Sequence, residues 1–440
     1  MVHVERVHRA DYDSLGAAGV AGRLRGLVPD AASVATAVAY IVTEVRERGD
    51  EAVIEYTRRF DTGGAEPLSL RVAPEALDAA IQTLPLEVVA GLQVAITNVA
   101  EVAQLGVGTD GQAILPQGQR IVVRELAVGS AAVYVPGGRA PYPSTVVMGV
   151  VTARAAGVFD VAVCAPPGAS GDIHPTILGT CRLCGVETVY RMGGAHAIAA
   201  LAYGTDTVAP VDVIVGPGNL YVQEAKRQVS HLVGIDGFAG PSDLLVVLGP
   251  DADLRLVALD LLAQAEHGAD SLVGALSPWE EQLDELELQL RALGDRHPQL
   301  PDAPCALVAT PDLREAIAVT NAFAPEHLQL VGAQAEALAP LVSRAGCLFV
   351  GAESATAFGD YVAGSNHVLP TGGAARFASG LSPRTFRRRM AEVHIGPAAS
   401  KLAAAAAPIA RAEGFAVHAE SMEARASPAP DPALRENGPG

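Results

Sequence analysis

The sequence predicts an α/β protein with two parallel-sheet, Rossmann-like units, which lack the usual dinucleotide fingerprint, and small helical segments near both ends of the chain. From about residue 121, short Val-rich runs alternate with stretches whose apolar residues recur every three or four positions. Such alternation is typical of βαβ units, whose parallel strands are buried on both faces. Hydrophobic residues make up 50% of the chain but aromatic residues only 4%, so Ala, Val and Leu must build most of the core.

The elements can be predicted one after another along the chain. Before about residue 105 the pattern is helical, with regularly spaced apolar residues in 32–47, 74–84 and 85–105. Strands of a first sheet are predicted at 131–135, 161–165, 188–190 and 211–215. A second series, joined to the first near Gly240-Pro241, has strands at 244–248, 271–276, 305–309 and 347–350, with helices at 253–266 and 280–293.

The last part of the chain differs in composition from the rest. After about residue 381 it is predicted to be helical and basic, with a helix at 398–411, and the composition from residue 427 onwards is that of a disordered tail. With the resemblance described below, the predicted organisation has five segments: an N-terminal segment 1–29, a first part of α/β domain 1 at 30–132, α/β domain 2 at 133–242, the second part of domain 1 at 243–381, and a helical C-terminal segment at 382–440.

Charge and the first residues narrow the classes of function. The formal net charge of −18 argues against a nucleic-acid or anionic-membrane partner, because both would be repelled. The run Met1 to Arg6 lacks the basic start and apolar core of a signal peptide, and no uncharged apolar run reaches membrane-spanning length. We therefore expect a cytoplasmic enzyme whose substrates are small molecules.

The five cysteines suggest no disulfide framework. Cys181 and Cys184 have the spacing of half a zinc site, but no second pair follows and 176–184 has the pattern of an apolar-faced helix. Buried, reduced thiols are therefore favoured over a metal or redox role.

Gln264 and His267 are the first candidates for chemistry. They stand three residues apart at the end of the predicted helix 253–266, with Gly268 as its expected C-cap, so both side chains can reach one ion. The alternative is that His267 only interacts with the helix dipole.

Glu326 and His327 are adjacent on a segment that is predicted to be extended or turning. Side chains that point in different directions can carry out two separate proton transfers in one cleft. A surface Glu-His pair is the alternative.

Asp360 and His367 lie in the loop-like run 351–370, after the predicted strand 347–350. Polar residues at the carboxyl end of a parallel strand are where α/β sheets bind ligands. Ordinary turn formation is the alternative for both residues.

Glycine-rich turns follow two predicted strands, at Gly137-Gly138 and at Gly216-Pro-Gly218. They allow a phosphate to approach the backbone, but neither matches Gly-x-Gly-x-x-Gly. The sequence also lacks a Gly-x-Ser-x-Gly elbow, a Walker sequence and a His-Glu-x-x-His helix.

These motifs in this order resemble the histidinol dehydrogenase family from about residue 30 to 425. The segments that carry the resemblance are Tyr134-Val-Pro-Gly-Gly, Gly216-Pro-Gly-Asn-Leu-Tyr, Gly240-Pro-Ser, Gln264-Ala-Glu-His-Gly, Ala324-Pro-Glu-His-Leu, Gly364-Ser-Asn-His-Val-Leu-Pro-Thr and Ala412-Glu-Gly-Phe-Ala-Val-His. The family resemblance implies a two-step oxidation of L-histidinol through L-histidinal to L-histidine, with NAD as hydride acceptor.

The resemblance also implies a site shared between the subunits of a homodimer. It implies zinc ligands Gln264, His267, Asp360 and His418, the last from the partner subunit, and these residues would also line the substrate site. Glu326 and His327 would do the proton chemistry, His327 touching the substrate as well.

Further contacts follow from the same resemblance. Ser242, His367 and Glu413 would contact the substrate. Tyr134, His196 and Asn219 would contact NAD.

Three positions depart from the family pattern. His196 replaces the usual Gln near the cofactor, Asp243 replaces the usual Glu, and Gly149 stands where Asn is common. Two alternatives therefore stay open: a paralogue that oxidises another polar alcohol, and a binding protein on an inactive dehydrogenase fold.

Overall fold

The computed structural model describes residues 2–28, 33–137 and 140–426. The chain forms two compact units, the first made of Met1–Val107 and Val128–Phe386 and the second of Gly108–Ala127 and Arg387–Gly440.

The strands of the described chain are, in order, β1 (His3–Val7), β2 (Gly111–Ile114), β3 (Arg120–Ala127), β4 (Ser130–Tyr134), β5 (Asp160–Ala165), β6 (Thr188–Arg191), β7 (Val213–Val215), β8 (Gly234–Ile235), β9 (Asp243–Leu248), β10 (Leu272–Ser277), β11 (Pro304–Ala309), β12 (His327–Val331), β13 (Cys347–Val350) and β14 (Arg387–His394).

The α-helices are α1 (Arg9–Arg25), α2 (Ala35–Arg48), α3 (Asp50–Phe60), α4 (Pro74–Gln82), α5 (Leu86–Gln104), α6 (Pro143–Ala155), α7 (Pro175–Leu183), α8 (Gly194–Tyr203), α9 (Leu220–Val229), α10 (Leu254–Ala265), α11 (Glu280–Gly294), α12 (Leu313–Phe323), α13 (Ala333–Glu336), α14 (Thr356–Tyr361), α15 (Ala399–Ala412) and α16 (Ala416–Ala426).

The first unit contains two parallel sheets, as the sequence predicts. Sheet A has six strands in the order β1-β11-β10-β9-β12-β13, and sheet B has five in the order β6-β5-β4-β7-β8. The strand order reverses between β9 and β12 in sheet A and between β4 and β7 in sheet B. Such a reversal is where open α/β sheets leave a crevice for ligands.

Burial explains why these strands read as continuous apolar runs. All residues of β9 and β10 are buried, and helices cover both faces of sheet A in two separate apolar clusters. The core of sheet B also includes apolar residues of α2 and α3, such as Val45 and Val53. The predicted five-segment division of the chain stays a prediction.

The second unit holds an antiparallel sheet, with the order β14-β3-β2, and the helix pair α15–α16. Ala403, Ala407, Ala410 and Ala419 are its buried apolar residues on these helices. Small side chains let the two helix backbones approach closely.

Most predicted elements are confirmed, including all eight predicted strands of the two sheets within a few residues and the helix that carries the buried Cys181 and Cys184. Two predictions of helix are wrong. The first residues form the edge strand β1, and Arg387–His394 form β14, because each pairs with a strand far along the chain, β11 and β3. Such distant pairing leaves no local pattern. The predicted tail from residue 427 lies outside the described residues.

One described helix, α5, is long and apolar enough by composition to cross a membrane. It carries Glu87 and Glu101 and packs against α6. Helices in the core of soluble proteins can have the same length and apolar composition.

Candidate active site

The candidate acid and base residues lie at the amino edge of sheet A, where its strands begin. Ser242 and Asp243 enter β9, and Glu326 and His327 enter the neighbouring strand β12. Because α10 and α12 run antiparallel to the strands they connect, their C-termini lie at this same edge. Gln264, in the last turn of α10, thereby comes next to Ser242.

Hydrogen bonds join three of these side chains in a row. The Gln264 amide nitrogen donates to the Ser242 hydroxyl oxygen over 2.5 Å. The Ser242 hydroxyl donates in turn to Oε2 of Glu326, also over 2.5 Å. Since its nitrogen is used by Ser242, the Gln264 amide is oriented with its oxygen as the ligand atom.

The side-chain carboxylates of Asp243 and Glu326 each accept a hydrogen bond from the backbone N–H of the other residue. The Asp243 backbone N–H donates to Glu326 Oε2 at 3.1 Å, and the Glu326 backbone N–H donates to Asp243 Oδ1 at 2.6 Å. We call this reciprocal pair the carboxylate clasp. It fixes the Glu326 side chain relative to the entries of both strands.

His327 is oriented by the same segment. Its Nδ1 lies 3.2 Å from the Asp243 carbonyl oxygen, which can only accept a hydrogen bond. Nδ1 therefore carries the proton of the neutral ring, and Nε2 is the basic atom. Nδ1 also lies 3.7 Å from Glu326 Oε2.

Burial changes the proton affinity of these groups. Glu326 is 7% exposed and His327 3%. Desolvation and, to a smaller extent, nearby Asp360 together raise the pKa of Glu326 to about 8, against the lowering effect of the hydrogen bonds from Ser242 and Asp243. Desolvation lowers the pKa of His327, so its neutral form is favoured. The two groups suit proton transfer near neutral pH.

Asp360 and His267 have the geometry of two ligands of one ion. His267 Nε2 lies 3.9 Å from Asp360 Oδ2. Two atoms that are each about 2.0–2.2 Å from a zinc ion lie roughly 3–4 Å apart. In the described part of the chain, no three His, Cys, Asp or Glu residues form a metal-binding group, so any complete ligand set must include other donors.

The amide of Gln264 is one such donor, and the polarity of the edge also suits a cation. The C-termini of α10 and α12 carry partial negative charge. The chemistry of Gln264, His267 and Asp360 therefore fits zinc.

His367 connects this edge to the helices of sheet B. Its Nδ1 lies 3.0 Å from the Asp360 carbonyl oxygen, and its Nε2 lies 3.3 Å from the Thr145 hydroxyl on α6. The carbonyl can only accept, so Nε2 accepts from Thr145. Burial lowers the pKa of His367 to about 4, which keeps the ring neutral.

The candidate cofactor residues lie at the carboxyl edge of sheet B. The Tyr134 hydroxyl accepts the Gly194 N–H at 3.2 Å. Asn219 is the N-cap of α9, where its side-chain oxygen accepts two backbone N–H groups. His196 is 1% exposed, and its Nε2 lies 3.2 Å from the Thr57 hydroxyl and 3.4 Å from Asp61 Oδ2.

At the carboxyl edge of each sheet, some helix N-termini carry a side-chain cap and others do not. At sheet A, the side chains of Asp253 and Asp312 cap α10 and α12, while α11 starts without a side-chain cap. At sheet B, the described residues give α6 and α8 no side-chain cap, while His174 and Asn219 cap α7 and α9. Uncapped helix N-termini bind anions, whereas a carboxylate cap repels them.

The crevice at the carboxyl edge of sheet A is also filled. A Cβ added to Gly249, after β9, would lie 3.1 Å from the backbone of Gly332, after β12. The Gly249 N–H also donates to the carbonyl of Val331 over 2.7 Å. The crevice between β9 and β12 is therefore closed to a ligand at this point.

Glu413 and His418 belong to the second unit. Glu413 is the C-cap of α15, His418 lies in the first turn of α16, and both are exposed. The His418 and Phe415 ring centres lie 5.1 Å apart.

Three local expectations about the site are wrong. α10 ends at Ala265 with Glu266 as C-cap, so Gly268 does not cap it and His267 stands in the following turn. Asp360 lies on α14 rather than in a loop. Its contact with His267 places it at the amino edge of sheet A, because α14 returns the chain from the carboxyl edge.

Sequence reasoning missed the roles of Asp243 and Thr145. The Asp-for-Glu departure at 243 was the only signal for the first. Thr145 shows none, because its partner His367 is 222 residues away.

Comparisons with known proteins agree on one family. The histidinol dehydrogenase family model matches residues 28–426. A histidinol dehydrogenase of Ruegeria pomeroyi is 41% identical over 414 residues, which cover 90% of this chain and 93% of that protein. One of Mycobacterium bovis is 41% identical over 432 residues, covering 94% and 97%. The crystal structure of histidinol dehydrogenase from Elizabethkingia anophelis superposes with a TM-score of 0.88 at 30% identity, covering 96% of this chain and 98% of that one.

The raised pKa of Glu326 predicts how stability depends on pH in metal-free protein. A folded-state pKa of about 8, above the ordinary 4.5, stabilises the fold fully below pH 4.5, and this contribution is lost as pH rises through about 8. Gln at position 326 is neutral at every pH, so the Glu326→Gln variant lacks this loss. The free energy of unfolding of the variant minus that of wild type should therefore increase between about pH 5 and about pH 8. Urea unfolding of chelator-treated proteins measures this difference. The exposed Glu353→Gln is the control, and a pH-independent difference for Glu326→Gln contradicts the assignment.

Proposed function

This chain belongs to the histidinol dehydrogenase family, and from that premise we propose that it oxidises L-histidinol through L-histidinal to L-histidine, using zinc and two molecules of NAD. The observation that carries the proposal is the row Gln264–Ser242–Glu326 beside His327. It joins a candidate metal ligand to two buried proton-transfer groups at one edge of a sheet.

Zinc would be held by Gln264, His267, Asp360 and the His418 of a second copy, and it would fix the amino and imidazole nitrogens of the substrate by acting as a template. The support within one chain is the 3.9 Å separation of His267 and Asp360 and the Gln264 amide oriented by Ser242.

His327 acts in the first oxidation. Its Nε2 takes the hydroxyl proton of the alcohol as the hydride leaves the adjacent carbon. The hydrogen bond from Nδ1 to the Asp243 carbonyl keeps the ring in the tautomer that this step needs. Burial favours the neutral, basic ring.

Glu326 acts between the two oxidations. Its carboxylate takes a proton from the water that adds to the aldehyde carbon, and the protonated His327 returns its proton to the carbonyl oxygen, which gives the hydrate and restores the neutral ring. His327 then takes a hydroxyl proton of the hydrate as the second hydride leaves. A pKa of about 8 makes Glu326 a base strong enough for this task.

NAD would accept each hydride, bound at the carboxyl edge of sheet B near Tyr134, His196 and Asn219. The support is the uncapped starts of α6 and α8 among the described residues, and the strand reversal between β4 and β7. The Thr145–His367 contact links α6 to the substrate side.

Ser242, His367 and Glu413 complete the proposed substrate contacts. His367 is held neutral, with Nδ1 on the Asp360 carbonyl, so its Nε2 would accept from a polar substrate group in exchange for the Thr145 hydroxyl. We further propose a cytoplasmic homodimer without nucleic-acid or membrane partners; the net charge of −18 supports the absence of such anionic partners, and the homodimer follows from the proposed shared site.

Counting NADH per substrate tests the function. Two NADH formed per L-histidinol consumed support it. His196 and Asp243, which depart from the family pattern, favour the alternative of another polar alcohol, so activity with other amino alcohols but none with L-histidinol would establish that alternative. No dehydrogenase activity in folded, zinc-loaded protein would point to a binding protein.

Removal of metal should abolish turnover. Chelator-treated protein should lose NADH formation and regain it with zinc, because Gln264, His267 and Asp360 hold the ion that orients the substrate. Metal content is measured beside the rate. Full activity in protein shown to be metal-free contradicts the requirement.

Glu326 and His327 should affect the two half-reactions differently. Glu326→Gln should slow oxidation of the aldehyde more than that of the alcohol, because water is needed only there. His327→Ala should slow both, by roughly 10²–10⁴-fold for a lost general base. Single-turnover kinetics with L-histidinol and with L-histidinal measure each step. Equal loss of both steps in Glu326→Gln refutes the division.

Two inactive variants should complement one another if the site is shared between subunits. His418→Ala and Asp360→Ala should each be inactive alone. In a mixed dimer one site carries both lesions and the other neither, so random exchange restores about a quarter of all sites. NADH formation after subunit exchange measures the recovery. If NADH formation does not recover although exchange is confirmed, the shared site is refuted. A His418 that binds zinc in its own chain would leave at least one lesion in every site of the mixed dimer.

A further inference from the structure

Lys226 is unusual in both sequence and structure. The chain has 31 Lys and Arg residues, and only two of them, Lys226 and Lys401, are Lys. A chain that uses Arg at the other 29 positions (31 − 2) keeps Lys at one of its most buried charged positions, where the residue is 1% exposed. At this position the chain thus has the compact ammonium group rather than the planar guanidinium group that it uses at most cationic positions.

The Lys226 ammonium group closes a small ring of hydrogen bonds with Gly216 and Asp236. It donates to the Gly216 carbonyl oxygen over 2.5 Å and to Asp236 Oδ1 over 2.7 Å. Asp236 Oδ2 accepts the Gly216 backbone N–H at 2.6 Å. The ion pair, with side chains 1% and 6% exposed, thus binds both polar groups of one glycine.

Gly216 lies at the strand reversal of sheet B, where open α/β sheets have a crevice for ligands. It follows β7, which pairs with β4 at the strand reversal. Its φ is +119°, and an added Cβ would lie 2.0 Å from the carbonyl oxygen of Tyr134, at the end of β4. The turn runs on to Asn219, the N-cap of α9. A small shift of Gly216 would therefore move Asn219 relative to Tyr134.

We propose that Lys226 and Asp236 are positioning residues of the dinucleotide site, which hold the Gly216–Asn219 turn at the distance from Tyr134 that NAD binding needs. This inference rests on the proposed binding of NAD at sheet B. Neither side chain touches the cofactor in this account. They act only through the turn, because both are enclosed beneath it.

A double variant separates this positioning role from stability alone. In Lys226→Met/Asp236→Leu, apolar side chains of similar size replace both charges, so no charge is left buried and unpaired. Gly216 nevertheless loses both partners. In the zinc-loaded enzyme, the Kd for NAD should rise about tenfold or more. The zinc content and the KM for L-histidinol should stay close to wild type, while the unfolding temperature should fall, because the buried Gly216 N–H and carbonyl are left unpaired.

Two further variants complete the experiment. Lys226→Arg keeps the charge but cannot reproduce the ring of bonds, so it should also weaken NAD binding, and it remains informative if the double variant does not fold. Arg154→Met is the matched control, because Arg154 holds the carbonyl of Gly185 over 2.6 Å at the opposite edge of sheet B. It should leave the Kd for NAD unchanged.

Wild-type NAD affinity in the folded double variant, or in Lys226→Arg, overturns the positioning role and leaves the pair as a stabilising device. An equal loss of affinity in Arg154→Met overturns it as well, by showing a general effect of destabilisation. Tyr134→Phe and Asn219→Ala report on the cofactor site itself. If neither variant weakens NAD binding, the proposed placement of NAD has failed, and this inference fails with it.

Discussion

The carboxylate clasp between Asp243 and Glu326 is the constraint on which the candidate active site depends. Two neighbouring strands begin there, and each buried carboxylate binds the backbone N–H of the other residue. This contact fixes Glu326 against Ser242, and the same backbone orients His327 through the Asp243 carbonyl. Loss of the clasp would leave two buried carboxylates without their N–H donors. The position of the acid and base groups is thus a consequence of how β9 and β12 enter sheet A.

The polarity of helices distinguishes the two sheet edges at which we propose catalysis and cofactor binding. The amino edge of sheet A collects the C-termini of α10 and α12, whose partial negative charge suits a metal ion and an amine. The carboxyl edge of sheet B collects the starts of α6 and α8, which suit phosphate. At the carboxyl edge of sheet A, aspartate side chains cap the starts of α10 and α12, and the Gly249–Gly332 contact fills the crevice between β9 and β12. The contact of His367 with Thr145 connects the amino edge of sheet A to the start of α6 at the carboxyl edge of sheet B.

The sequence could predict what depends on local pattern. The apolar runs of both sheets and the helices between them follow from periodicity, and the motifs around Gln264 and Glu326 drew attention to residues that the structure places together. It could not predict contacts between distant segments, such as β1 with β11 or Thr145 with His367. The rule that ligands bind at carboxyl edges misplaced Asp360, because the six-residue helix α14 returns the chain to the other edge. The residues around Asp243 in the sequence do not indicate that its carboxylate binds the backbone N–H of Glu326, which lies 83 residues further along the chain.

We propose that NAD and the substrate bind to edges of opposite polarity, one on each sheet of the first unit. Hydrogen–deuterium exchange of backbone amides, with NAD alone and with zinc and L-histidinol alone, tests it most directly. NAD should slow exchange in the first turns of α6 and α8 and in the turn 216–219. Zinc and L-histidinol should instead slow it at 242–243, 264–267 and 326–327. Protection by NAD at the carboxyl edge of sheet A, around Gly249 and Gly332, would contradict the account.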